Sequence, residues 1–322
     1  MAKILTGIQS TGTPHLGNIL GAIIPAIKMA NESYEESYLF IANMHSLTQI
    51  KNKEILKNNT FTTAAAWLAF DLDPNKSCFY RQSDIPEVTE LAWYLSCFFP
   101  YQRLKLAHSF KDKSENLKDV NSGLFSYPML MSADILIYDA NIVPVGKDQL
   151  QHLEMTRDVA ARFNNLMGDT FIIPEAKIQD NSNYVTGTDG QKMSKSKNNI
   201  IDIFLDDKSL KKQIMKIQTK SLSVDEQKDP DDCNVFKLYK LIAEEENIKN
   251  LASRYRKGGI GYGESKEILY NEILNKFAKN REKFFKLMDD KEIVERLLTD
   301  GATKARVQAQ KVLKRVRASV GY

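Results

Sequence analysis

Cysteine is scarce in this chain of 322 residues: Cys78, Cys97 and Cys233 form no Cys-x-x-Cys pair, and an odd number suits no disulfide framework. A reducing compartment, the cytoplasm, is therefore expected. The four histidines, His15, His45, His108 and His152, show no His-Glu-x-x-His or other metal-ligand spacing, so no structural metal is expected. Glycine (15) and proline (9) are few, and no internal repeat or low-complexity tract occurs, which argues against disordered, collagen-like and linker-dominated chains. Long apolar runs are missing too. Stretches such as Ala64 to Phe70 fall far short of the roughly 20 residues that cross a bilayer, and no membrane partner is expected. Met1-Ala2-Lys3 leads straight into Ile4 to Ile8 with no signal-peptide pattern, so the fold is expected to begin at once.

What is present is a core-forming composition, 43% hydrophobic and 27% charged, in a chain long enough for one large domain or two ordinary ones. Lys3 to Ile8, Ser37 to Ala42, Ser77 to Gln82 and Asn141 to Val145 read as strands. Between and after them, Leu16 to Ala30, Lys53 to Phe70, Pro86 to Phe98 and Gln149 to Phe163 carry apolar residues at helical intervals, with Pro86 suited to a first helical position. This rhythm predicts an α/β fold, a Rossmann-like parallel sheet covered by helices. Beyond about residue 205 strand signals nearly vanish; Leu210, Ile214 and Ile217 mark one helix, and the turn Gly258 to Gly263 separates two others. The predicted division is an α/β domain over 1–204 and a C-terminal all-helical domain over 205–322, with the last helix able to return to the α/β domain. Residues 205–322 hold 26 basic and 19 acidic side chains, against 19 and 22 before them, and six basics follow Asp300 with no acid. For any one lysine an ordinary solvated surface is the better reading, but the surplus raises the odds of a polyanionic partner.

Two segments carry chemistry. Gly7-Ile8-Gln9-Ser10-Thr11-Gly12-Thr13-Pro14-His15-Leu16-Gly17-Asn18 falls where the first strand ends and the first helix begins. Open parallel sheets bind ligands at such junctions, and a helix N-terminus offers unpaired N–H groups to phosphate. His15 and Asn18, three apart, are expected to share a helical face. The glycines alone are better read as an ordinary turn with a capping Thr and a buried His, and the segment is not G-x-G-x-x-G. The second, Asp189 to Asn199, is a basic, hydroxyl-rich loop able to neutralise charge on a departing pyrophosphate. Standing alone, such a loop is usually a soluble surface loop.

Taken together, and in this order, His15-Leu16-Gly17-Asn18 resembles the HIGH signature, and Lys192-Met193-Ser194-Lys195-Ser196 is a full KMSKS signature, of class I aminoacyl-tRNA synthetases. Gly7-Ile8-Gln9, Tyr127 to Leu136, Val143 to His152 and Arg157 to Asn164 narrow the resemblance, over essentially the whole chain, to the bacterial tryptophanyl-tRNA synthetases. The resemblance implies a homodimer that activates L-tryptophan with ATP, accompanied by Mg2+, and charges tRNA(Trp). It also assigns residues. Gln9, Ser10, Thr11, Gly17 and Asn18 match a first ATP-contacting segment; Gly146, Lys147 and Asp148 match a second; Val185 matches an adenine contact; Lys192 to Ser196 match a mobile pyrophosphate loop; Lys113 matches a further phosphate lysine. Gln9, His15, Asn18, Lys113, Lys192 and Lys195 are the catalytic candidates. Asn18 replaces the second His of HIGH, as is usual in this family; Ser10 stands where Pro is common and Leu5 where some relatives have Phe.

Asp134 has an argument of its own. Indole N–H donates and cannot accept, so a tryptophan pocket needs one acceptor among apolar walls. Asp134 lies in the apolar helical stretch Met129 to Tyr138, with Met131 three residues earlier and Val143 and Val145 suited to the opposite wall. Gly7, His45, Tyr127 and Gln149 match positions near the bound amino acid. An isolated Asp more often caps a helix or pairs with an arginine; the motif context reverses that preference. The alternatives are a tyrosyl-tRNA synthetase, whose phenol also suits an Asp, and a small-molecule nucleotidyltransferase of the same superfamily. The Gly146-Lys147-Asp148-Gln149 context and the absence of an added RNA-binding tail disfavour the first. The second needs neither the full KMSKS loop nor the basic helical part.

Overall fold

Short β-rich runs separated by amphipathic helices are realised as a parallel sheet in the computed structural model, which describes residues 3–31, 36–107, 120–146, 149–178 and 185–322. The elements up to the last strand are β1 (Lys3–Ile8), α1 (Leu16–Asn18), a π-helical turn Ile19–Ile23, α2 (Ile24–Asn31), β2 (Glu36–Ile41), α3 (Asn43–Ser46), α4 (Lys53–Ala69), β3 (Cys78–Arg81), a 3-10 turn Gln82–Asp84, α5 (Glu87–Phe98), α6 (Tyr101–Leu104), α7 (Ser122–Leu136), β4 (Ile142–Val145), α8 (Leu150–Met167) and β5 (Glu175–Ile178). Then come a 3-10 turn Lys195–Lys197, α9 (Asp207–Met215), a 3-10 turn Pro230–Asp232, α10 (Asn234–Lys240), α11 (Glu245–Lys257), α12 (Tyr262–Lys276), α13 (Ala278–Asp289) and α14 (Lys291–Val320).

The chain divides into two compact units. Unit 1 comprises Met1–Gly12, Ala26–Asn181 and Asp290–Tyr322; unit 2 comprises Thr13–Pro25 and Ser182–Asp289. The division read from the sequence lies instead at 204/205. Two features set the observed one. The start of α1 is tied to the segment after residue 190, where Leu16 N–H donates to Ile201 C=O at 2.8 Å, and α14 buries Ala302, Ala305, Ala309, Val312 and Val316 in the same apolar cluster as the sheet.

In unit 1 the strand order is β3-β2-β1-β4-β5, all parallel. Chain order reverses on either side of β1, which makes the crevice beyond the C-terminal ends of β1 and β4 the switch point where such sheets bind ligands. The four strands read from the sequence are present, within one residue at each end. β5 escapes that reading because it is a short edge strand whose Glu175, Ala176 and Lys177 are exposed, leaving no apolar signal. Pro86 precedes α5 as its N-cap rather than opening it. The helix expected over Leu16 to Ala30 is interrupted by the π turn just before Pro25, whose missing N–H cannot bond back one turn.

Of the six basic residues after Asp300, three are paired with acids within unit 1. Arg306 pairs with Glu87 at 2.7 Å, Arg315 with Asp139 and Arg317 with Glu90, each at 2.5 Å. The basic run therefore serves to dock α14, and only part of the surplus is left for a polyanion. Unit 2 is helical from α9 to α13. Its described residues after 205 contain no strand, and its core stacks Phe204 on Phe284 at 3.9 Å. Buried Arg281 donates to Ile203 C=O and pairs with Asp207, holding α13 to the segment that follows the Lys-Ser loop. The glycine-rich turn joins α11 to α12 as read; Gly258 takes φ +81, and a Cβ there would meet Asp225 O at 2.3 Å.

Candidate active site

In unit 2 the first helix begins with a reciprocal cap. His15 Nδ1 accepts from Asn18 N–H and Asn18 Oδ1 accepts from His15 N–H, both at 3.2 Å. His15 is thus the cap itself, where the sequence pattern suggested a Thr. An Nδ1 that accepts leaves the imidazole proton on Nε2, and burial followed by the nearby Lys195 charge lowers the His15 pKa from 6.5 to about 4. Since the folded value lies below the unfolded one, the neutral form is the folded form. Stability linked to His15 is complete above pH 6.5 and is lost as pH falls from 6.5 towards 4. His15→Gln, which cannot titrate, is expected to flatten the pH dependence of the melting temperature over that window; a slope identical to wild type contradicts this reading.

The Lys-Ser loop is in the same unit and packs on this cap. Gly17 N–H points at Met193 Sδ at 3.3 Å, and a Cβ on Gly17 would lie 3.0 Å from His15 Nδ1 and 3.3 Å from Met193 Cβ. Glycine lets the first turn and the loop approach this closely, and a Cβ would require His15 or Met193 to give by a few tenths of an ångström. The loop is shaped by buried Asn199. Its Oδ1 accepts from Ser194 N–H at 2.7 Å, and its Nδ2 donates to Asp189 Oδ1 at 2.7 Å and to Lys192 C=O at 3.0 Å. Met193 N–H bonds Val185 C=O at 3.0 Å, so the adenine candidate Val185 and the loop share a backbone contact. Lys192 and Ser196 are exposed and Ser194 is half-buried. Lys195 is half-buried, and burial pushes its ammonium down to about 8 against the pull of the Asp202 carboxylate.

In unit 1, Gly7 faces the Phe40 ring so closely that a Cβ would sit 2.5 Å from it, which fixes glycine there for packing. Beyond β1, buried Ser10 shares a hydroxyl bond with Ser46 at 3.1 Å, and Gly12 takes φ +123. Gln9 and Thr11 are half-buried at the switch point, and Gly146 follows β4. Lys113, Lys147 and Asp148 lie outside the described residues.

A polar cluster in the same unit surrounds Asp134. Gln82 donates from Nε2 to Asp134 Oδ2 at 2.7 Å and accepts on Oε1 from His45 N–H at 3.1 Å. Asp134 pairs with no arginine or lysine among the described residues; its deep burial raises its pKa well above 3.8, and the Gln82 N–H opposes that rise. The Tyr127 hydroxyl bonds His152 Nε2 at 2.7 Å, and the His45 ring meets Tyr127 edge-on at 4.5 Å. Tyr127 and Asp134 are seven residues apart on α7, so roughly 10 Å of helix separates them. Val143 and Val145 belong to the apolar cluster beside them and Met131 packs against it. Gln149, half-buried, precedes the first turn of α8 without a side-chain capping bond. Gln82, His152 and Asn199 were not among the sequence candidates. Gln82 had one signal, its place at the C-terminal end of a parallel strand.

A family model described as tRNA synthetases class I (W and Y) matches residues 1–278. The tryptophan--tRNA ligase of Campylobacter jejuni (strain RM1221) is 46% identical over 320 residues, covering 99% of each chain. The chain belongs to the class I tryptophanyl-tRNA synthetase family. A crystal structure of the family's Campylobacter jejuni enzyme, in complex with ADP and tryptophan, superposes with a TM-score of 0.95 at 45% identity over 99% of this chain and 100% of that one. A tyrosyl-tRNA synthetase from Archaeoglobus fulgidus, complexed with L-tyrosine, is 16% identical, covers 88% of this chain and 90% of its own, and has a TM-score of 0.64; that likeness shows the fold alone.

Proposed function

We propose that this chain activates L-tryptophan with ATP, giving tryptophanyl-AMP and pyrophosphate, and transfers the aminoacyl group to tRNA(Trp) in the cytoplasm. The tryptophan carboxylate attacks the α-phosphate in line, and no side chain acts as nucleophile. Rate comes from positioning and from charge. Gln9, Ser10, Thr11, Gly146, Lys147 and Asp148 hold the nucleotide, with Val185 at the adenine. His15 offers Nε2–H, Asn18 offers its amide N–H2, and Lys113, Lys192 and Lys195 balance the charge that develops on pyrophosphate. Magnesium enters with ATP as part of the substrate; among the described residues no group of three His, Cys, Asp or Glu could hold it. Asp134 accepts from the indole N–H, and Gly7, His45, Tyr127, Met131, Val143, Val145 and Gln149 complete the amino-acid pocket.

The observation that carries this reading is the packing of Gly17 against Met193, which joins the two signature segments within one unit. The test is charging of a tRNA(Trp) transcript with labelled tryptophan and ATP. Robust charging is expected, and charging with tyrosine instead overturns the substrate assignment. Two copies of the chain are proposed to pair, with Trp93 of α5, an aromatic side chain that is 70% exposed, at their contact. Trp93→Glu is expected to shift sedimentation from dimer towards monomer; an unchanged profile contradicts a role for Trp93.

A further inference from the structure

Gln82 sits in the 3-10 turn directly after β3 and is 1% exposed. Its turn is held from both sides. Arg81 reaches Glu295 of α14 through both guanidinium nitrogens at 2.7 and 2.6 Å and Asp84 through Nε at 2.8 Å. Asn43 of α3 exchanges two hydrogen bonds with Ser83, at 2.9 and 3.0 Å. A side chain mounted on such a turn is fixed before any ligand arrives. The orientation of its amide is also decided. The His45 backbone N–H can only donate, so the group facing it at 3.1 Å is the carbonyl Oε1. The NH2 end therefore faces Asp134 Oδ2 at 2.7 Å, and Oδ2 must accept.

This arrangement differs from the common fate of a buried aspartate. An arginine would engage both carboxylate oxygens, so that a ligand would have to share whichever one it met. A neutral amide engages one. Oδ1 has no hydrogen bond among the described residues, and it remains on a carboxyl group whose other oxygen is already committed as an acceptor. If the carboxyl were protonated, the proton would have to sit on Oδ1, because Oδ2 faces a donor. Oδ1 would then be a donor, useless to an indole N–H and acceptable to a phenol oxygen. An indole N–H pairs with Oδ1 only in the ionised form, which is also the form the Gln82 N–H favours.

We infer that Gln82 is a specificity-positioning residue: by occupying one oxygen of Asp134 as a donor, it holds the other as an acceptor for a ring N–H, and so selects indole over isosteres that lack the donor. The inference rests on the proposed role of Asp134 as indole acceptor, and the test separates the two.

The probe is tryptophan against β-(3-benzothienyl)alanine, in which sulfur replaces the ring N–H. KM and kcat for each are measured by pyrophosphate exchange in wild type, Gln82→Met, Asp134→Asn and the double variant. Gln82→Met is expected to raise KM for tryptophan about tenfold and to leave the benzothienyl analogue within about twofold, with kcat for both little changed. The double variant is expected to discriminate no worse than Asp134→Asn alone, since both substitutions act through one oxygen. Loss of discrimination in Asp134→Asn with none in Gln82→Met overturns the role of Gln82 and leaves Asp134 in place. Unchanged discrimination in Asp134→Asn overturns the role of Asp134 itself. Should Gln82→Met melt far below wild type, Gln82→Leu likewise has no donor to face Asp134; it is expected to lose discrimination to the same extent, and retained discrimination overturns the inference.

Discussion

Lys195→Ala is expected to slow tryptophan-dependent pyrophosphate exchange by about 10- to 100-fold while leaving KM for tryptophan within about twofold. Lys195 sits at the start of the 3-10 turn Lys195–Lys197, half-buried, in a loop whose frame is the three-way bonding of Asn199. Its ammonium is poorly solvated, which is why burial brings it down to about 8 even with Asp202 nearby. A charge that has already lost part of its water gains most when phosphate charge arrives, and the largest charge arrives as pyrophosphate leaves. The same environment makes a second, linked result. In the free enzyme the charge on Lys195 is lost as pH rises through about 8, so kcat/KM for ATP is expected to fall with an alkaline limb near that value. Lys195→Arg keeps its charge above that range and is expected to abolish the limb. Equal losses in tryptophan binding and in rate for Lys195→Ala would remove the transition-state role from this side chain.

Gly301→Val is expected to be the most damaging single substitution for folding. The residue lies inside the 30-residue helix α14, where glycine costs about 1 kcal/mol relative to alanine. Its presence is explained by the strand beneath it: a Cβ would lie 1.9 Å from Phe79 O and 2.7 Å from Phe79 C. Backbone in the sheet cannot move aside as a flexible side chain can. The whole helix must lift, loosening Ala302 and Ala305 from the core and the ion pairs of Arg306, Arg315 and Arg317 from their carboxylates. A loss of at least about 3 kcal/mol is expected, visible as a fall in melting temperature of roughly 6–12 °C. Gly263→Val is the matched control, since nothing lies within 4 Å of a Cβ there, and it is expected to leave the melting temperature nearly unchanged. Similar melting curves for the two variants contradict the close approach of α14 to β3.

How much of this was legible depended on whether the signal was local. β1 to β4 announce themselves as short apolar runs bounded by turn residues, and the two signatures are contiguous strings. Asp134 could be singled out because a carboxylate in an apolar helical stretch needs a reason. Its partner is harder to find, because Gln82 is 52 residues away and only its place at the end of a parallel strand points to the site. Asn199 likewise looks like a surface residue until its amide is seen holding both ends of the Lys-Ser loop. In the sequence the C-terminal basics look like available charge because the acids they meet lie far back in the chain; Glu87 and Arg306 are 219 residues apart. The π turn before Pro25 has a local cause, and an amphipathic pattern conceals it, since one extra residue in a helical turn leaves the apolar face nearly intact.

The central claim is activation of tryptophan by ATP, and exchange of labelled pyrophosphate into ATP, run with each of the standard amino acids in turn, tests it most directly. Exchange that depends on tryptophan and stays near background with every other amino acid, tyrosine included, is the predicted result. Exchange driven by tyrosine in place of tryptophan, or none with any amino acid, would contradict it.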